Sequence, residues 1–106
     1  MAVKIIIFYK EQRWADVLFD KLIAEMSEDR IQRFSKMRNN SYIQLNDGSS
    51  IMIHKANKHS RTMRCDTAMA QEGINENFIK LNILPIADRP PILVFDKDYK
   101  YKTYII

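Results

Sequence analysis

The clearest structural pattern in the chain is the segment YIQLNDGSSIMIH, residues 42–54. Alternating apolar and polar residues flank Asp47-Gly48, where glycine adopts the positive φ of a tight turn at little steric cost. The segment therefore predicts a β-hairpin. Four of its side chains are expected to face the core: Ile43, Leu45, Ile51 and Ile53.

The chain before the hairpin predicts one strand and one helix. Residues 3–9 are β-branched and almost continuously apolar, which is typical of a strand covered on both faces in a parallel sheet. Apolar residues then recur at helical spacing among charged ones, which predicts an amphipathic helix over residues 13–28. Residues 29–41 are basic and are expected to be irregular, with a short helical turn around 31–34.

The chain after the hairpin predicts a third strand within residues 63–70, a second helix and two further strands. Asn75 is the expected N-cap of that helix, which should end before Pro85. Its expected buried stripe consists of Ile74, Phe78 and Leu81. Residues 92–95 predict a buried strand, and residues 99–106 predict a final strand at the edge of the sheet. We expect this edge to be covered, and a second copy of the chain is one candidate for the covering partner.

The alternation of strands and helices favours an α/β fold with a mixed sheet, one hairpin and two main helices. A length of 106 residues suits a single domain, residues 1–106. No apolar run reaches the ~18–20 residues of a membrane span, so no membrane partner is expected. The lone cysteine, Cys65, and the absence of a signal-peptide pattern favour a cytoplasmic location, with the thiol packed inside.

Patterns for catalysis are weak, and we predict no catalytic residue, metal site or cofactor. The turn after the first strand, residues 9–13, contains no glycine, which argues against a phosphate-binding loop. His54, His59 and Cys65 fit no standard zinc spacing, even with Asp66 as a further ligand. A metal-dependent nuclease is a third hypothesis, which requires carboxylates to converge beside a lysine. Its candidate residues are Asp66, Asp96, Asp98 and Lys100.

Charge provides the main functional signal. The chain has 17 basic and 13 acidic residues, and residues 30–64 hold eight basic residues against Asp47 alone, a local charge of +7. The leading hypothesis is a non-catalytic accessory or regulatory protein that docks on a protein partner, and the alternative is nucleic-acid binding. Either function would use a surface formed by Lys55, Lys58, Arg61, Arg64, Tyr99, Lys100, Tyr101 and Lys102.

Residues 43–51 and 60–66 together resemble part of the ATPase domain of phage terminases, over roughly a quarter of the chain. There, a strand, a hairpin with Gly-Ser and an Arg-Gly segment precede an acidic strand. This chain departs from that pattern, because Thr62 follows Arg61, Ala68-Met69-Ala70-Gln71 stands in place of an acidic pair, and the phosphate-binding loop is absent. The resemblance implies a small phage-type protein with an ATPase-like sheet but no ATPase activity, in which Arg61 contacts an anion.

Overall fold

The apolar first strand lies at the centre of a seven-stranded mixed sheet in the computed structural model, which describes residues 2–57, 60, 63–88 and 93–103. The strands are β1 (Lys4–Tyr9), β2 (Ile31–Ser35), β3 (Asn40–Leu45), β4 (Ser50–Lys55), β5 (Thr67–Gln71), β6 (Leu93–Phe95) and β7 (Tyr101–Thr103). Their spatial order is β2-β3-β4-β1-β5-β6-β7. The four central strands are parallel and the outer ones antiparallel, which confirms the α/β fold with a mixed sheet.

Helices cover both faces of the sheet. Helix α1 (Gln12–Glu25) packs on one face, and α2 (Glu76–Phe78) packs on the other with its extension, a π turn (Ile79–Ile83) and a 3₁₀ turn (Leu84–Ile86). Side chains of β1 alternate between the two cores: Ile7 faces α1, whereas Ile6 and Phe8 face the α2 side. The predicted coverage of the first strand on both faces is therefore confirmed.

The hairpin forms as predicted. Ile43 pairs with Ile51, and both are buried against α1 together with Leu45 and Ile53. Gly48 adopts a φ of +92°, and Asp47 Oδ1 accepts the Ser49 N–H at 2.8 Å. Because this hydrogen bond stabilises the carboxylate, it lowers the pKa of Asp47.

Two predictions about local structure were wrong. Residues 31–34 form part of β2 rather than a helical turn, because β3 supplies a pairing partner from Leu45 to Tyr42. The second helix continues past Pro85 to the end of its 3₁₀ turn at Ile86. Pro85 is tolerated because it lies in the first positions of this turn, where a backbone N–H would have no partner within the turn.

The buried stripe of the second helix also differs from the expected one. Leu81 is 71% exposed, whereas Ile79, Ile83 and Ile86 are buried. The π turn widens the helix, so its apolar face departs from the regular 3.6-residue period. The predicted N-cap is confirmed, since Asn75 Oδ1 accepts the N–H groups of Asn77 and Phe78 at 2.8 and 3.3 Å.

The predicted last strand lies at an edge of the sheet as β7, and residues 104–106 lie outside the described part. Cys65 is buried, as predicted, and burial raises the pKa of its thiol to about 11. Within the described ranges, no helix is long and apolar enough to cross a membrane.

Candidate binding surfaces

The face of the sheet that carries α1 is wider than the helix that covers it. Seven strands spaced ~4.8 Å apart span about 29 Å, whereas a helix with its side chains is ~10 Å across. Helix α1 lies over β1 and β4. One cleft therefore opens on the β2 side of the helix and another on the side of β5 and β6.

The first cleft lies between the end of α1 and edge strand β2, and its volume is about 740 Å³. Its walls include Ile23 and Met26 from the helix side and Ile31 and Phe34 from the strand. The Phe34 ring is 57% exposed although its centroid lies 6.0 Å from that of Phe19. Most of this strand is exposed along both faces, so an apolar side chain stands at the open edge of the sheet.

Positive charge surrounds this edge. Residues 30–38 include Arg30, Arg33, Lys36 and Arg38 and no acidic residue. Lys36 Nζ lies 3.1 Å from Asp20 Oδ1, and Arg33 Nε donates to Gln44 Oε1 at 3.0 Å. Within the described residues, Arg30, Arg33 and Arg38 form no salt bridge, so no carboxylate there neutralises their charge.

The second cleft is a cavity of about 460 Å³ between α1 and strands β1, β5 and β6. The turn over residues 96–100 closes one side of it, and Tyr99 in this turn has a φ of +64°. The Tyr99 ring stacks on Trp14 with centroids 5.6 Å apart and an interplanar angle of 16°. An aromatic wall thus borders one side of this cavity, which is otherwise open to solvent.

The carboxyl ends of the parallel strands, where ligands usually bind in open α/β sheets, are closed from within. Gln71 at the end of β5 is buried, and its Oε1 accepts the backbone N–H groups of Lys10 and Glu11. The Lys10 side chain lies over Gly73, where the β-carbon of any larger residue would stand 2.6 Å from Lys10 Nζ. Two N–H donors of the β1–α1 turn, those of Lys10 and Glu11, are therefore already paired within the protein.

The structure distributes the predicted binding residues over different parts of the molecule. Lys55 lies beside Tyr9 at the carboxyl end of β1, whereas Arg64 precedes Asp66, whose N–H donates to the Lys4 carbonyl at the amino end. Tyr99 and Lys100 line the cavity under α1. Lys58 and Arg61 lie outside the described residues, and Tyr101 and Lys102 lie on β7.

The carboxylates of the nuclease hypothesis lie at opposite ends of the sheet. Asp66 Oδ2 accepts the Lys4 N–H at 2.7 Å, at the amino end of β1. Asp96 follows the carboxyl end of β6, where its Oδ1 accepts the N–H groups of Asp98 and Lys100 at 2.8 and 3.1 Å. Because Asp66 does not converge with the other two, the three-carboxylate cluster that this hypothesis considered does not form.

The residues considered for zinc are also separated. His54 lies near the carboxyl end of β4, whereas Cys65 bridges to Ala87 beyond the amino end of β5. His59 lies outside the described residues. Across residues 2–57, 60, 63–88 and 93–103, no three His, Cys, Asp or Glu side chains are placed to hold a metal ion.

Sequence reasoning missed the β2 edge because it interpreted residues 31–34 as a helical turn. A single aromatic residue, Phe34, within a basic run was the available signal, since charged residues are common on edge strands.

Comparison with known proteins gives no further guide to function: no family model, curated protein or solved structure matches the chain.

Proposed function

We propose that this chain is a non-catalytic accessory or regulatory protein, of phage type, that docks on a protein partner through the β2 edge. The observation that carries this proposal is an edge strand exposed along most of both faces, with the exposed Phe34 as its fourth residue. Such a strand presents unpaired backbone N–H and C=O groups to an extended segment of another chain.

The proposed partner segment is extended and acidic. Its backbone adds a strand beside β2, and its acidic side chains face Arg30, Arg33 and Arg38, whose charge is not neutralised by a salt bridge in the described structure. One of its apolar side chains enters the cleft between Met26 and Phe34. Backbone pairing supplies affinity, while the cleft and the charges supply specificity.

The residues proposed from the sequence serve the same function as separate further contacts, because the structure distributes them over different parts of the molecule. They belong to the loop from Lys55 to Arg64, to the turn with Tyr99 and Lys100, and to strand β7, which is the other edge of the described sheet. Pairing of β7 with a second copy of the chain stays a prediction. So does the phage-type origin suggested by the terminase resemblance.

The proposal is tested by panning a library of random octapeptides against the purified chain. We expect enrichment of peptides that alternate acidic and apolar residues. Such peptides should bind Phe34→Ser about tenfold more weakly than the unmodified chain, because central aromatic anchors dominate interfaces. Leu81→Ser is the matched control, since Leu81 is equally apolar and 71% exposed on the α2 side.

Backbone pairing is tested with an enriched peptide that carries N-methyl groups on alternate residues. Methylation of the amides that face β2 should abolish binding, whereas methylation of the intervening amides should preserve it, because only one set pairs with the edge. The proposal fails if no acidic peptide is enriched, or if the enriched peptides bind Phe34→Ser and Leu81→Ser equally well. Either result would show that the basic residues only prevent other strands from pairing with the β2 edge.

Nucleic-acid binding is the second candidate, favoured by the exposed Phe34 ring and by the three arginines of residues 30–38, which form no salt bridge with another described residue. Bases could stack on the ring while the arginines neutralise phosphates. A titration with labelled single-stranded DNA across a salt series distinguishes the two candidates. Binding of DNA that weakens steeply with salt, without enrichment of peptides, would replace the protein partner by nucleic acid.

A further inference from the structure

We propose that the cavity between α1 and strands β5 and β6 binds a small, uncharged, apolar molecule. This site is separate from the β2 edge and lies on the opposite side of α1. Its volume of about 460 Å³ falls within the ~300–1,000 Å³ range of small-molecule pockets.

Aliphatic side chains form the floor and one wall of the cavity. Ile5 and Ile7 contribute from β1, Met69 from β5, and Leu18 and Leu22 from the helix. Ile5, Leu22 and Met69 remain only partly buried although they pack against the core. An apolar ligand would remove this surface from water, which is favourable at ~25 cal/mol per Å².

The turn at the cavity's edge holds its aromatic wall in place. The Asp96 carboxylate accepts the N–H groups of Asp98 and Lys100, and Tyr99 between them adopts a φ of +64°. This backbone conformation is unfavourable for a bulky side chain, and such residues concentrate at functional sites. Stacking on Trp14 keeps the Tyr99 ring against the cavity, so the wall is formed before a ligand arrives.

The charges around the cavity determine the class of ligand. Lys21 and Lys100 are balanced by Glu25 and Asp98, and Lys21 Nζ also lies 4.0 Å from Glu25 Oε1. This arrangement offers no net charge to attract an ion, and removal of a charged group from water among aliphatic side chains is costly. The site therefore favours an uncharged molecule over an anion or a cation.

Trp14 provides a built-in reporter, because it is the only tryptophan of the chain and stacks on the cavity wall. The probe is N-phenyl-1-naphthylamine, a neutral apolar fluorophore, added to the full chain. We expect saturable binding of one probe per chain, with a change in Trp14 emission. The sulfonated analogue, anilinonaphthalene sulfonate, should bind about tenfold more weakly because of its charge.

Two matched variants locate the probe. Met69→Phe narrows this cavity and should weaken binding about fivefold, whereas Met26→Phe, in the cleft beside β2, should leave it unchanged. Leu22→Phe is a second narrowing variant in case Met69→Phe does not fold, and thermal unfolding establishes which variants are folded.

Four outcomes would overturn the proposal. The first is the absence of saturable binding, and the second is equal loss of binding in Met69→Phe and Met26→Phe. The third is much tighter binding to a chain that ends at residue 103, which would identify residues 104–106 as the occupant of the cavity. Preference for the sulfonated probe would overturn the assignment of an uncharged ligand.

Discussion

The side-chain oxygen of Gln71 accepts the backbone N–H of Lys10 at 2.9 Å, and that of Glu11 at 3.2 Å. This pair of hydrogen bonds joins the ends of the two adjacent parallel strands β1 and β5. It also orients the first turn of α1, because Glu11 is the N-cap residue of this helix and its own side chain makes no capping bond. A neutral amide thus occupies the place where nucleotide-binding sheets of this type receive an anion.

Replacement of Gln71 by leucine should lower the free energy of unfolding by about 2 kcal/mol, because two partly buried N–H groups lose their acceptor. Urea unfolding followed by Trp14 fluorescence measures the change. Gln71→Glu retains an acceptor and should lose less stability at neutral pH. A leucine variant as stable as the unmodified chain would mean that water replaces the amide at no cost.

Replacement of Asn75 by alanine should lower the free energy of unfolding by about 1 kcal/mol, since the side chain caps the N–H groups of Asn77 and Phe78. Asn75→Ser preserves a capping oxygen and is the control. Thermal or urea unfolding provides the measurement. Equal stability of the alanine and serine variants would contradict a capping contribution at this short helix.

Replacement of Gly48 by alanine should destabilise the hairpin by about 1 kcal/mol, because its φ of +92° strains any residue with a β-carbon. Space is not the cause, since the added atom would stand 3.4 Å from the Ala2 β-carbon. Gly48→Asn should be less destabilising, as asparagine tolerates positive φ. If alanine and asparagine have equal effects, backbone strain is not the origin of the loss.

Stability should fall with rising pH between about 9 and 11 because of Cys65. Burial raises the pKa of this thiol from 9.0 to about 11, so its contribution is fully present below 9 and is lost as pH rises through 11. The slope should approach 1.4 kcal/mol per pH unit, the value for one proton. Cys65→Ala should have a shallower slope, because only the Cys65 contribution is lost and the Tyr9 phenol, whose pKa burial also raises, keeps its own. Urea unfolding at several pH values would reveal a failure as parallel curves for the two chains.

Thiol labelling provides an independent check on Cys65. A buried thiol with a raised pKa carries little of the reactive thiolate at pH 8, so a disulfide reagent should label the folded chain slowly. Labelling should accelerate once urea unfolds the protein. Rapid labelling without denaturant would show that Cys65 is accessible.

Local patterns in the sequence predicted the elements that local forces specify. Asp47-Gly48 between alternating apolar runs specifies the hairpin, and the apolar run of β1 specifies a strand covered on both faces. Asn75 specifies a helix start, because capping involves only N–H groups two and three residues further along. Each of these signals acts over a few residues, which is why it can be recognised without the fold.

The β2 edge, the closure by Gln71 and the cavity beside Tyr99 could not be recognised in this way. Gln71 and Lys10 are separated by 61 positions in the chain, and only the parallel pairing of β1 and β5 places them in contact. Sequence alone established an α/β chain with a basic central segment. Only the tertiary structure placed β2 at an open edge and left two clefts beside α1. Strand order and the number of paired strands arise from long-range pairing, and this pairing makes the sheet wider than the single helix that covers it.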